Sequence, residues 1–162
     1  MKRILNILAA VICLTGMVTS CEKAPKLDVG IVGEWQLSEM TGYEVSNLPT
    51  VYIEFTAEKS FVIYQKVGEV TRFKKYGGTY TIAELLLTGV YDDGDDWGSA
   101  YRASLEADGS VLVLTAVELD KAGVVVSEGE VTKYVRASLS QEEKDAADIV
   151  TKGDTVSINR IM

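Results

Sequence analysis

Val51-Tyr52-Ile53-Glu54-Phe55-Thr56 decides the fold. Val51, Ile53 and Phe55 alternate with Tyr52, Glu54 and Thr56. Successive side chains of a strand point to opposite faces, so this run presents one face to a core and the other to water. Ala57-Glu58-Lys59-Ser60 follows as a hairpin connection, after which the apolar rhythm resumes at Phe61. Further along, Tyr101, Ala103 and Leu105 alternate in the same way with Arg102, Ser104 and Glu106, and Ala107-Asp108-Gly109-Ser110 makes the next turn. Working outward from these runs, period-two patterning and turn residues predict eight strands. They fall near 33–40, 50–56, 60–66, 73–82, 85–91, 99–106, 110–117 and 130–136.

Short connections between successive strands make antiparallel neighbours, because parallel pairs need long crossovers. Eight such strands close as an up-and-down barrel, which leaves no exposed edge; a two-sheet sandwich is the alternative packing. Gly77-Gly78, inside the fourth strand, is expected to mark a bulge or a bend. After Arg136 the rhythm changes. Ser140-Gln141-Glu142-Glu143 fits a capping box, and Ala146, Ala147, Ile149 and Val150 would form the apolar stripe of a short helix stopped by Gly153. Val156, Ile158 and Arg160 then alternate with Thr155, Ser157 and Asn159, a pattern that fits either a last strand or a frayed tail.

The other end of the chain reads as an address. Lys2 and Arg3 precede an apolar run, Ile4–Val18, and no further charge appears until Glu22. That is the layout of a secretory leader, and the run is too short to span a bilayer. Val18-Thr19-Ser20-Cys21 resembles a bacterial lipobox, in which the cysteine sulfur takes a diacylglycerol before cleavage. Cys13 falls within the leader, so Cys21 stands alone in the processed chain and no internal disulfide is expected. The expected organisation is a leader over 1–20, a tether over 21–30, a barrel with its C-terminal helix over 31–150, and a tail over 151–162. A bacterial cell envelope location follows, lipid-anchored and most simply at the outer membrane, with the membrane itself as one partner.

Charge and composition narrow the function. With Lys2 and Arg3 removed, 14 basic residues face 24 acids, a net charge of −10. A chain of that balance has nothing with which to release counterions from nucleic acid. There is no histidine, which removes Ser–His and Cys–His nucleophilic pairs, His-ligated metals and the usual base near neutral pH. No nucleophile elbow, phosphate loop or paired glycosidase carboxylates are legible. The expectation is a protein without catalysis and without a cofactor or metal. Asp92, Asp93, Asp95 and Asp96 cluster around Gly94, but their spacing does not match a twelve-residue calcium loop, so they read as a solvated hairpin.

Gly33-Glu34-Trp35 at the first strand resembles the Gly-x-Trp motif that opens lipocalins. Three further stretches, Gly78–Ile82, Leu87–Gly94 and Trp97–Tyr101, are similar to lipocalin-like domains found on bacterial envelope lipoproteins. Lys133-Tyr134-Val135-Arg136-Ala137, running into an acidic helix start, is similar to the end of those domains. Two features of classical lipocalins differ: Glu106-Ala107-Asp108-Gly109 stands where many carry Thr-Asp-Tyr, and the loop over 41–49 is short. The resemblance implies an eight-stranded barrel and binding of a small, partly hydrophobic molecule in it or at its mouth. It also implies that Arg136 stacks on Trp35 beside Gly33 to close one end, a structural role. Phe55, Tyr80, Trp97 and Tyr101 are the candidate ligand contacts, each weighed against simple core filling. A rival reading is a filled barrel whose rim docks another envelope protein.

Overall fold

The computed structural model describes residues 26–151 and 160–162. The expected leader, Cys21, the first part of the tether, Gly153 and all but Arg160 of the alternating stretch at 155–160 lie outside the described residues. The strands are β1 Gly33–Met40, β2 Thr50–Phe55, β3 Ser60–Lys66, β4 Lys74–Ala83, β5 Leu86–Tyr91, β6 Ala100–Glu106, β7 Val111–Leu119 and β8 Val125–Arg136. Each pairs antiparallel with the next, and β8 returns to pair with β1, Trp35 opposite Arg136. That last pairing closes the ring as an eight-stranded barrel and sets the sandwich aside.

The alternation read from the sequence is the burial pattern observed. Val51, Ile53 and Phe55 point inward and are buried, as are Tyr101 and Ala103. Trp35, Leu37, Phe61, Ile63, Tyr76, Tyr80, Leu87, Leu112, Leu114 and Tyr134 belong to the same core. At about 25 cal/mol per Å2 of buried apolar surface, such a core is the main source of stability in a domain without disulfides.

Four differences from expectation have physical causes. The register of β4 runs unbroken through Gly77 and Gly78, so there is no bulge. The glycines instead allow close approach: a Cβ at Gly78 would lie 2.6 Å from the Phe61 ring, and one at Gly77 would lie 2.4 Å from the Asp92 carboxylate. β7 and β8 reach further than 117 and 130 and meet in a tight hairpin, where Asp120 Oδ1 accepts from the Ala122 and Val124 amides. The extension is exposed on nearly every residue, so no alternation betrayed it. The last residues of the expected tether form a helical turn, α1 (Leu27–Gly30), with Leu27 packed on the core.

The fourth difference concerns the C-terminal helix. α2 (Gln141–Asp145) begins at the expected cap, with Ser140 Oγ accepting from the Glu143 amide at 3.3 Å. It stops at Asp145, before the predicted stripe. Ala147 joins an outer cluster with Tyr64, Phe73 and Leu139, and Asp148–Ile149 forms a short strand, β9, parallel to Lys74–Lys75. β5 ends opposite Gly78, so the edge of β4 beyond it has unpaired backbone groups. β9 satisfies them through Asp148 N to Phe73 O and Val150 N to Lys75 O, at 2.9 and 3.0 Å. Tertiary demand for hydrogen bonds overrode a local helix pattern.

Candidate functional site at the two ends of the barrel

Antiparallel order puts the turns over 41–49, 67–73, 92–99 and 120–124 at one end, the mouth, and Trp35 and Arg136 at the other. At the closed end the register places these two side chains on one face, and the guanidinium carbon of Arg136 stands 3.7 Å from the indole centroid. Gly33 makes room for it. Its φ is +124°, and a Cβ there would lie 2.4 Å from Arg136 Nη1. Arg136 donates to the carbonyls of Val32, at 2.7 Å, and of Gly30, while Trp35 Nε1 donates to Ile31 O at 2.7 Å. The cation and the indole together bond the three consecutive carbonyls of Gly30, Ile31 and Val32, a latch holding α1 over the core. Burial lowers the Arg136 pKa from its usual value. Outside the barrel, Lys144 of α2 bridges Glu34 and Glu54, at 2.8 and 3.2 Å. Burial pulls its pKa down, but hydrogen bonds to Glu34 and Glu54 outweigh that and raise it overall.

The four candidate ligand contacts all lie within the core. Phe55 and Tyr80 meet edge to face at 5.0 Å, and the Tyr80 hydroxyl donates to Thr56 O at 2.8 Å. They sit in the closed half, away from the mouth. Trp97 and Tyr101 meet at 5.9 Å, and Trp97 also meets Phe61 at 5.0 Å. β5 and β6 are joined by only two residue pairs, Leu86 with Arg102 and Leu87 with Tyr101. Trp97 packs against β5 beyond them, its amide donating to Gly89 O at 2.9 Å. Its indole nitrogen is buried with no hydrogen-bond partner among the described residues.

Space lies nearer the mouth. One cleft, of about 630 Å3, is bordered by Met40, Tyr43, Leu48, Val67, Val70 and Ile161. A second, of about 790 Å3, runs beside the thin wall at Gly77-Gly78 and is bordered by Phe61, Tyr76, Tyr91, Asp93 and Arg160. Sequence reading did not single out Tyr76, Tyr91 or Arg160 as site residues. The inward parity of Tyr76 and Tyr91 was legible; the return of residue 160 to the mouth was not. Residues 160–162 enter the barrel itself. Met162 is 5% exposed within the core, and its carbonyl accepts from the Tyr91 hydroxyl at 2.6 Å. The hairpin is solvated at Asp92, Asp95 and Asp96, as expected, but Asp93 turns inward: its side chain is 7% exposed and pairs with Arg160. Burial pushes the Tyr91 hydroxyl pKa well above its usual value, and that of Tyr101 up to about 12.

A family model described as a lipocalin-like domain matches residues 31–114. No curated protein matches the chain.

Proposed function

We propose, from the premise that this chain belongs to the lipocalin-like domain family, that it binds a small, partly hydrophobic molecule at the mouth of its barrel. In this reading it is a non-catalytic protein of the bacterial cell envelope, held at the outer membrane by a lipid on Cys21. The observation that carries the binding is the mouth-side cleft of about 630 Å3 bordered by Met40, Tyr43, Leu48 and Val70. Its size and mixed apolar and polar border suit a small ligand. The lower interior is packed with side chains, which favours the mouth over a deep pocket. The absence of histidine supports a role without acid–base or nucleophilic turnover.

Native mass spectrometry of the lipidated protein extracted from its own membranes tests this. A co-purifying small molecule, lost when Tyr43 and Leu48 are changed to aspartate, is expected. Protein recovered free of small molecules, and deaf to a panel of amphiphiles, would refute it. One observation favours the docking alternative: Tyr43, Val45, Val67 and Val70 expose apolar surface around the mouth. Capture of one stoichiometric envelope protein, abolished by changes at those four positions, would shift the reading there.

A further inference from the structure

We propose that the mouth is a receptor for organic cations bearing an apolar tail, and that Arg160–Met162 occupies the ligand's place in the free protein. The proposal rests on the mouth-binding reading and adds the chemical class of the ligand. The guanidinium carbon of Arg160 lies 4.3 Å from the Tyr91 ring centroid and 5.5 Å from that of Tyr76. Asp93 pairs with it directly, and Asp95 Oδ2 lies 3.6 Å from Nη1. Two aromatic faces and two carboxylates around one cation form the arrangement that selects a cation over a neutral or anionic head. Beyond the head, Met162 fills apolar space in the core, while Ile161 N donates to Gln65 Oε1 at 3.3 Å. Head, polar waist and apolar end are thus each recognised.

Receptor and occupant differ in how they are held. Tyr76 and Tyr91 belong to β4 and β5, and Asp93 to the turn after β5, so the barrel wall presents them. Residues 160–162 belong to no helix or strand. A second observation points to a ligand. The Tyr76 hydroxyl is buried with no hydrogen-bond partner among the described residues, and Tyr76 borders the cleft of about 790 Å3 with Tyr91, Asp93 and Arg160, the last of which also borders the 630 Å3 cleft. The arginine segment leaves that group unsatisfied; a ligand with an acceptor beside its cation would engage it. The net charge of −8 also draws cations to the protein.

Calorimetric titration of the full chain with dodecylguanidinium, 1-dodecanol and dodecanoate decides the matter, since the three share a tail and differ in head. The cation should bind about tenfold or more tighter than the alcohol, and dodecanoate weakest. Arg160→Ala should tighten the cation about tenfold with little change for the alcohol, because the internal competitor is gone. Asp93→Asn added to that variant should abolish the preference. Equal binding of all three probes would overturn the cation proposal and leave the mouth-binding reading standing. Binding of none would remove both. Should Arg160→Ala fail to fold by circular dichroism, the order of the three probes on the unaltered chain still decides.

Discussion

The indole of Trp97 occupies the space in which a side chain at Gly89 would begin: a Cβ there would lie 2.2 Å from Cε2 of the ring. The two residues face each other across the part of the wall where β5 and β6 share only two residue pairs. Gly89→Ala should therefore overpack this site and cost roughly 1–3 kcal/mol. Trp97→Ala should cost about 3–5 kcal/mol by leaving a cavity. The double variant should lose less than the sum, because removing the ring relieves the clash. Denaturant titration measures all three, and a neutral Gly89→Ala would contradict the packing described.

At the closed end, Trp35→Ala should cost roughly 3–5 kcal/mol and Arg136→Ala less, since the indole keeps most of its packing. Their effects should be coupled by about 0.5–2 kcal/mol, the range of a cation over an aromatic ring. Gly33→Ala should mimic Arg136→Ala, because its Cβ would displace the guanidinium from the ring. Strict additivity of Trp35→Ala and Arg136→Ala would mean that the stacking carries no energy.

Alkaline pH should unfold the protein. Burial raises the pKa of Tyr52, Tyr64, Tyr76, Tyr80, Tyr91, Tyr101 and Tyr134 above the usual value of 10.0. A phenol with a raised folded-state pKa adds stability that is whole below pH 10 and is lost as pH climbs through the folded value. Lys144, also raised, has the same sign. Stability should thus fall steeply from about pH 10 upward. Tyrosinate absorbance should appear together with loss of the circular-dichroism signal. Tyrosinate forming progressively in a still-folded barrel would argue against these burials.

Cys21 should be the mature N-terminal residue and carry diacylglycerol, and Cys21→Ser should release any processed protein from membranes. Intact-mass analysis checks the first, and an unmodified N-terminus elsewhere would refute it. The geometry adds a corollary. Leu27 lies six positions after Cys21, a reach of at most about 22 Å, and α1 lies at the Trp35 end. That end should face the bilayer and the mouth should face away. Dyes at Asp108→Cys, in the closed-end turn, should transfer energy to headgroup acceptors more efficiently than dyes at Ala122→Cys.

Strand number, order and the inward residues were legible because one face of each strand is buried and the other is wet, as at Val51, Ile53 and Phe55. The Trp35–Arg136 latch came from a motif rather than from periodicity. What escaped was long-range. The β7–β8 extension is wet on both faces, so it carries no alternation. The capture of Asp148–Ile149 by β4 depends on where β5 stops, at Tyr91, 57 positions earlier in the chain and far from any local cue. Arg160 meets Asp93 across 67 positions of sequence, and no local pattern encodes that meeting.

The ring is sealed by its first and eighth strands, with Trp35 opposite a residue 101 positions later. Without the β1–β8 pairing the strands would be an open sheet whose two edges could pair with other chains. The seam closes the longest loop of the ring, so we expect it to form last: Arg136→Ala should speed unfolding and leave refolding nearly unchanged, with a φ-value near zero. A φ-value near one would place the seam in the nucleus instead. A late seam would make aggregation during folding a property of topology, set by which strands close the ring rather than by how hydrophobic any of them is.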